Sequence, residues 1–287
     1  MTDPLISVIV TTYNRPDALE RVLAGCIEQY DPSYEIIVAD DGSSDDTRST
    51  IERIAETTPI QIHHVWQPDQ GFRAAAIRNK GIAHARGDYL IFLDGDCVPQ
   101  HDFVMQHRLL AQGGCVVTGS RILLDEALTR EVIEQKIPLP RQPAGFWLKQ
   151  RLAGHANKIA PLFIKLPDSA WRRVKKFKWR GIKSCNMSAW RRDLEQVNGF
   201  DESFVGWGHE DADLVLRLAN HGVQRKLGAY ATEIFHLWHR EQARDQESSN
   251  YARVAARLND GCVRAEKGLA ELTDDSDSYS VSNLSAD

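Results

Sequence analysis

Short apolar runs rich in Val, Ile and aromatic residues alternate with segments of helical spacing over the first hundred residues. The runs are Ile6 to Thr12, Glu35 to Asp40, Ile60 to Trp66 and Tyr89 to Asp94, and the helical segments are Asp17 to Gln29, Asp45 to Ala55 and Arg73 to Ala85. Apolar strands separated by helices are typical of a parallel sheet that helices cover on both faces. The sequence therefore predicts an α/β fold that binds its ligands at the carboxyl ends of the strands.

The rest of the chain predicts a mixture of strands and helices. We expect a helix near His101 to Ala111, strands at Gly114 to Gly119, Ser184 to Trp190 and Gln224 to Phe235, and helices at Arg191 to Val197, His209 to His221 and Arg244 to Leu272. Residues 273–287 are acidic, rich in Ser and poor in apolar groups, so we expect them to be disordered. Residues 1–272 are expected to form one domain.

The strand Tyr89 to Asp94 is followed by Gly95 and Asp96, which gives the motif Asp-Gly-Asp. Gly95 lets the backbone approach a ligand, and carboxylates suit Mg²⁺ or Mn²⁺ bridging a diphosphate. An acidic surface turn is the alternative. Because the second strand also ends in acids, at Asp40 and Asp41, the two strand ends would repel each other unless a cation offsets their charge.

Three features near the first strand suggest a nucleotide site. Asp41 can accept an N–H from the edge of a base. Thr11 and Tyr13 lie beside it at the end of the first strand, and the Tyr13 ring can stack on that base. The alternative for Asp41 is a role in a capped turn. Arg78, on the helix before Asp94, can neutralise phosphate oxygens; a solvent-exposed helix charge is the alternative, and its position between Ile77 and Asn79 favours the phosphate role.

Trp207 lies between Gly206 and Gly208, just before the acids Glu210 and Asp211. Helix capping accounts for the acids but not for a large aromatic between two glycines, which is the arrangement expected of a lid.

His236 and His239 have i, i+3 spacing, so in a straight strand their side chains point to opposite faces. They can reach one cation only if the strand ends in a turn there. A structural role is the alternative for each.

Several enzyme classes lack their usual signatures. The sequence contains no G-x-G-x-x-G after the first strand, no G-x-x-x-x-G-K-[ST], no H-E-x-x-H and no G-x-S-x-G. Dinucleotide oxidoreductases, P-loop NTPases, zincins and serine hydrolases are therefore disfavoured.

The ordered motifs SVIVTTYNR, ADDGSSDDT, GFRAAAIRNKGI and FLDGD resemble those of family-2 nucleotide-sugar glycosyltransferases, which have the GT-A fold. NMSAWRRD, GWGHEDADLVLRL and HLWH resemble the acceptor half of β-1,4-galactosyltransferases and chondroitin polymerases. The resemblance covers roughly residues 5–240, except about 125–180. It implies a Rossmann-like donor half (about 1–120), a helical basic insertion (about 125–183), an acceptor half (about 184–245) and a C-terminal helix (about 244–272).

The resemblance also implies roles for individual residues. Asp41 would hold the uracil N–H, Tyr13 would stack on the base, Arg78 would contact the phosphates and Asp94 would lie near the ribose. The full set of implied donor-binding residues is Thr11, Tyr13, Arg15, Asp41, Arg78, Asp94, Gly95 and Trp207.

In the second half, Asp211 falls on the position of the catalytic base and Trp207 on the lid, with Glu210 and Trp207 facing the acceptor. Asp96, His239 and His236 fall on positions that bind Mn²⁺ or Mg²⁺. The implied reaction is an inverting transfer from a UDP-sugar to a hydroxyl of a glycan or lipid-linked acceptor. A non-catalytic nucleotide-sugar binding module and a nucleotidyltransferase remain alternatives.

The segment Arg141 to Lys183 has twelve Lys and Arg and one acid, so it carries +11 within a chain of net charge −5. The chain as a whole has no general attraction to nucleic acid. Aromatic residues interleave with these cations, as expected of a segment that lies on an anionic membrane surface. A soluble segment whose cations bind an acidic acceptor is an equally good explanation. Its prolines exclude one long helix.

Five Cys without a CxxC pair, no basic leader and no membrane-length apolar run predict a cytoplasmic protein, either free or peripheral at the inner face of the membrane.

Overall fold

The computed structural model describes residues 4–179, 181–240, 246–272 and 279–284. The strands are β1 (Ile6–Thr12), β2 (Tyr34–Asp40), β3 (Ile62–Trp66), β4 (Tyr89–Asp94), β5 (Cys97–Pro99), β6 (Cys115–Thr118), β7 (Ser120–Leu123), β8 (Asn186–Trp190), β9 (Gln224–Leu227), β10 (Glu233–His236) and β11 (Ser280–Leu284). The helices are α1 (Pro16–Ile27), α2 (Asp45–Ala55), α3 (Ala74–His84), α4 (Phe103–Leu110), α5 (Glu126–Glu134), α6 (Ala144–Leu152), α7 (Ala160–Phe163), α8 (Arg191–Gln196), α9 (Glu210–Asn220) and α10 (Glu247–Asp260).

Eight strands form the central sheet, in the order β11-β3-β2-β1-β4-β8-β6-β9. Strands β3, β2, β1 and β4 are parallel, β8 is antiparallel to both β4 and β6, and β6 is parallel to β9. A second sheet has the order β5-β10-β7. The predicted α/β architecture with a mostly parallel central sheet is confirmed.

Side chains on both faces of the central sheet are buried, which explains the unbroken apolar runs in the sequence. In β1, Val8 and Val10 pack into one core cluster and Ile9 into the cluster on the opposite face. Each fully buried aliphatic side chain contributes roughly 1.5–3 kcal/mol relative to its exposed state. This two-sided burial holds the strand ends in place.

Two predicted elements in the second half are wrong in extent. The expected strand Gln224 to Phe235 is two strands, β9 and β10, because a turn at Gly228 intervenes; its carbonyl accepts N–H bonds from Ala231 and Thr232. The expected helix Arg244 to Leu272 is the shorter α10, which ends where Gly261 adopts a left-handed φ of 69°. Residues 241–245, where that helix was expected to begin, lie outside the described residues.

The expected disorder of the C-terminal residues is wrong for Ser280–Leu284, which form β11 antiparallel to β3. Unpaired backbone groups on β3 provide the partners, and the His63 ring contacts the Asn283 side chain at 2.6 Å. Tyr279, just before β11, is also described, whereas residues 273–278 and 285–287 lie outside the described residues.

Short helices and turns make up the basic segment in the part of the chain that the structure describes. One of its cations, Arg172, is fully buried, and its guanidinium donates to the carbonyls of Pro167, Leu227 and Ala229. Arg172 therefore has a structural role and is not available to a membrane. No described helix has the length and apolar character needed to span a membrane.

Candidate functional site

The carboxyl ends of β1, β2 and β4 meet at one edge of the central sheet. The register places Thr12 beside Asp40 and Thr11 beside Asp94. Gly95 follows immediately, and a side chain there would lie 2.9 Å from the Thr12 hydroxyl. Because glycine is required at this turn, the backbone of the acidic motif lies directly against β1.

Asp96, His236 and His239 come together beside this edge. One ligand atom from each lies within 4.8 Å of the other two. Nε2 of His239 is 3.3 Å and Nε2 of His236 is 3.9 Å from the Asp96 carboxylate. Since β10 ends at His236, the chain leaves the strand direction there, and the two imidazoles converge with ring centroids 5.3 Å apart.

The chemistry of these three side chains fits a divalent cation. Burial lowers the pKa of His236 to about 4, so its imidazole is neutral near pH 7 and its ring nitrogen can act as a ligand. A carboxylate with two imidazoles is a donor set that Mn²⁺ accepts.

Arg78 is buried on α3 and joins three elements. Its guanidinium donates to the Thr11 hydroxyl at 3.2 Å, to Asp94 at 3.1 Å and to Glu210 at 3.0 Å. Burial lowers the pKa of Arg78, but the two carboxylates together outweigh it, so the net shift is upward. The structure thus places Glu210 and Asp94, which the resemblance assigned to acceptor and ribose, against Arg78, and much of the charge of Arg78 is compensated within the protein.

Asp41 is buried behind the strand ends. It accepts hydrogen bonds from Gln67 at 2.5 Å and from the Arg73 backbone N–H at 2.7 Å. Burial raises the pKa of Asp41, while these hydrogen bonds lower it. Tyr13 is 44% exposed and donates to Asp69 at 2.8 Å, so its ring lies at the mouth of the crevice.

Arg15 lies on the surface, where its ion pair with Asp17 at 2.9 Å holds it at the start of α1.

The Trp207 loop, residues 205–209, has an unusual backbone. Gly206, Gly208 and His209 have φ values of 76°, 108° and 72°, in the left-handed region that disfavours side chains with a Cβ. Helix α10 packs against this loop, where Asn250 donates to the Val205 carbonyl. The half-buried Trp207 therefore lies on a loop whose backbone is held in a defined conformation.

A buried ionic network connects α10 to α9. Arg257 donates to Asp213 and to Asp201, each at 2.5 Å, and Arg217 donates to Asp213 at 2.7 Å. Asp201 and Asp213 are fully buried, so this network fixes α10 relative to the first turn of α9.

Asp211 begins α9 beside Glu210. Burial and then the charge of Glu210 raise the pKa of Asp211 to about 7, against the opposing charges of Lys183 and Arg78. One carboxylate oxygen accepts the Ser184 backbone N–H at 3.2 Å. A half-buried carboxyl with a pKa near neutrality is suited to proton transfer.

Sequence reasoning missed several residues that shape this site. Lys183 precedes β8 and acts electrostatically on both Asp211 and His236, and Gln67 holds Asp41. Arg121 on β7 acts on His236, because the pairing of Leu123 with His236 puts Arg121 and His236 on one face of the small sheet. Only the pairing of distant elements reveals these contacts.

Two sequence profiles match the chain. The profile "Glycosyl transferase family 2" matches residues 7–176, and "N-terminal domain of galactosyltransferase" matches residues 170–240. Together they cover the strand ends, the acidic motif, Asp211 and both histidines.

Curated relatives include validoxylamine A glucosyltransferase from Streptomyces hygroscopicus subsp. jinggangensis, which is 32% identical over 77% of this chain and 52% of that protein. Chondroitin synthase from Escherichia coli is 28% identical over 76% of this chain and 32% of that protein. Hyaluronan synthase from Pasteurella multocida is 28% identical over 76% of this chain and 23% of that protein. The chain thus spans about half, or less, of the length of these relatives.

Among solved structures, a mannosyltransferase from Pyrobaculum calidifontis in complex with GDP-Man and Mn²⁺ superposes with a TM-score of 0.59. It is 21% identical, and the match covers 90% of this chain and 65% of that one. TarS from S. aureus, residues 1–349, superposes with a TM-score of 0.58 at 14% identity, and the match covers 93% of this chain and 67% of that one. These likenesses concern the fold alone.

Proposed function

Because the chain belongs to glycosyl transferase family 2 and has the GT-A fold, we propose that it is an inverting, metal-dependent hexosyltransferase. It moves a sugar from a UDP-sugar of the Gal, GalNAc, GlcNAc or Glc class to a hydroxyl group of a glycan or lipid-linked acceptor. The observation that carries this proposal is the convergence of Asp96, His236 and His239 on one point, with Lys183 acting electrostatically both on His236 and on Asp211, the carboxyl with the raised pKa.

The donor end of the site is built on β1, β2 and β4. Asp41 faces the uracil N–H and Tyr13 stacks on the base, with Thr11 and Arg15 beside them. Gly95 lets the diphosphate approach the backbone. A divalent cation, Mn²⁺ or Mg²⁺, held by Asp96, His236 and His239, supplies charge neutralisation for the departing UDP.

Asp211 acts on the acceptor. Its carboxylate takes the proton of the attacking hydroxyl while the oxygen forms its bond to the anomeric carbon and UDP leaves from the opposite side. General-base catalysis of this kind contributes typically ~10²–10⁴-fold. Trp207 covers the donor and limits its loss to water, while Glu210 and Arg78 hold the first turn of α9 in place.

Incubation with Mn²⁺ and a panel of UDP-sugars, followed by measurement of free UDP, tests the proposal. We expect UDP release with at least one donor, and Asp211→Asn should reduce it by orders of magnitude while changing UDP affinity only a few-fold. Donor binding without release would indicate a binding module, and pyrophosphate release from UTP and a sugar phosphate would indicate a nucleotidyltransferase. Equal loss of binding and turnover in Asp211→Asn would make Asp211 a structural cap.

A lipid-linked acceptor would require contact with a membrane, and we propose that α6 and α7 supply it. Leu148 is 54% and Leu152 80% exposed on α6, next to the exposed cations Lys149 and Arg151. Exposed apolar groups beside cations suit an anionic lipid surface. Co-sedimentation with anionic and neutral vesicles should show a salt-sensitive preference for the anionic ones that Leu148→Ser with Leu152→Ser abolishes; equal binding to both vesicles would refute it.

A further inference from the structure

Lys183, the last cation of the basic segment, lies beside the proposed metal site. Strand β8 is antiparallel to β4, with Asn186 paired to Leu93. Lys183 precedes Asn186 by three residues and Asp96 follows Leu93 by three, so Lys183 and Asp96 lie beyond the same end of this strand pair. The charge of Lys183 also lowers the pKa of His236, which requires the two side chains to be near each other.

The same lysine is close to the candidate base. The backbone N–H of Ser184, the next residue, donates to the Asp211 carboxylate at 3.2 Å. The charge of Lys183 lowers the pKa of Asp211 as well. In an in-line displacement the reacting carbon lies between the base and the leaving group. An ammonium that acts on both Asp211 and the metal site is therefore near the bond that breaks.

Arg121 is a second cation at this place. It is half-buried on β7, where Leu123 pairs with His236, so Arg121 and Leu123 lie on one face of the small sheet together with His236. Arg121 lowers the pKa of His236 more than the neighbouring His239 ring does, and it also lowers the pKa of Lys158. The side chains on which Arg121 acts are thus themselves basic.

The charges of Lys183 and Arg121 are not compensated by the protein. Within the ranges that the structure describes, neither side chain forms an ion pair or a side-chain hydrogen bond. Arg78, by contrast, is paired with both Asp94 and Glu210. Cations held close together without counter-charges repel each other unless an anion binds between them, and phosphate oxygens are strong acceptors for such groups.

We propose that Lys183 and Arg121 bind the diphosphate of the departing UDP and that Lys183 is a catalytic residue. The acceptor oxygen bonds to the anomeric carbon while the bond from that carbon to the β-phosphate oxygen breaks. The electron pair of the broken bond stays on the phosphate oxygen, and the acceptor proton goes to Asp211. The Lys183 ammonium donates to the oxygen that gains the charge. The inference rests on the proposed transferase function and adds these two residues to it.

The alternative is that Lys183 only adjusts the pKa of Asp211. Removing its charge would then raise that pKa and reduce the ionised fraction of the base near neutral pH. Activity lost in this way returns at alkaline pH, and the affinity for UDP does not change. A direct contact with the diphosphate predicts the opposite on both counts.

The test is calorimetry of UDP and UMP binding to the full chain, with and without Mn²⁺, together with kcat for UDP release. Lys183→Gln should raise the Kd of UDP about tenfold and that of UMP less than about threefold, because UMP lacks the β-phosphate. Arg121→Gln should act in the same direction. In Lys183→Gln kcat should fall about 100-fold at every pH, and Lys183→Arg should restore most of the affinity.

The matched control is Lys176→Gln, which removes the same charge from an exposed position in the same segment and should leave both affinities and kcat unchanged. Unchanged UDP affinity in Lys183→Gln and Arg121→Gln, an equal loss for UDP and UMP, or activity that returns at alkaline pH would overturn the inference while the wild type still releases UDP. A wild type that releases no UDP from any donor would refute the transferase function, and this inference with it.

Discussion

Replacing Glu210 by Gln tests whether the neighbour of Asp211 sets the pH dependence of catalysis. Burial and the charge of Glu210, in that order, raise the pKa of Asp211 from 3.8 to about 7. The variant removes the negative charge of Glu210. It also leaves less of the charge of Arg78 compensated, and that positive charge lowers the pKa of Asp211. We therefore expect the pKa of Asp211 to fall, by about one unit because burial remains, which corresponds to ~1.4 kcal/mol.

The direction of the pH dependence follows from the role of Asp211 as a base. Only the ionised carboxylate accepts a proton, so the wild-type rate should rise with pH through about 7. In Glu210→Gln the midpoint should lie near pH ~6, so that at this pH the ionised fraction increases roughly fivefold, from about a tenth to a half. At higher pH this advantage disappears.

The assay is kcat/KM for UDP release from the donor across the range from mildly acidic to mildly alkaline pH, with Mn²⁺ at saturation. Glu202→Gln is the matched control, since Glu202 accepts a hydrogen bond from Asn79 and is not among the main causes of the raised pKa of Asp211. Its midpoint should stay where the wild type has it. An unchanged or raised midpoint in Glu210→Gln, or an equal shift in both variants, would refute the reasoning.

Three further predictions concern the metal site and α10. Asp96→Ala should abolish metal-dependent UDP binding, measured by calorimetry with and without Mn²⁺; binding that remains Mn²⁺-dependent would exclude Asp96 as a ligand. His239→Ala should weaken Mn²⁺ affinity more than His236→Ala, because His239 lies nearer to Asp96, and unchanged affinity in both variants would remove the histidines from the site. Arg257→Met leaves buried Asp201 without its ion-pair partner and Asp213 with Arg217 alone, so it should lower the free energy of unfolding by about 3–5 kcal/mol, whereas Arg253→Met, one turn earlier on α10 and exposed, should cost less than ~1 kcal/mol.

The sequence predicted those parts of the fold whose residues are dictated locally. Strands β1 and β4 begin and end where expected, because both of their faces are buried and the apolar runs stop at the polar crevice. The two histidines converge because β10 ends at His236; their i, i+3 spacing made such a turn a condition for a shared cation without predicting it. These features depend on the composition of single segments.

The features that the sequence did not predict depend on contacts between residues far apart in the chain. The bond between Arg78 and Glu210 joins residues 132 positions apart, and nothing in either segment alone indicates it. Strand β11 forms because β3 offers a free edge, although its own sequence is polar. Likewise, Arg173 pairs with Lys226 of β9, and neither segment alone indicates that pairing.

The three side chains of the proposed metal site come from segments far apart in the sequence: Asp96 follows β4, and His236 ends β10, with His239 just beyond it. A cation bound there is a reversible cross-link between distant parts of the chain, and unfolding must release it. Folding and metal supply are then linked equilibria, in which free metal at a hundred times its Kd adds ~2.7 kcal/mol to stability. The melting temperature of this protein would therefore vary with the divalent metal content of its surroundings.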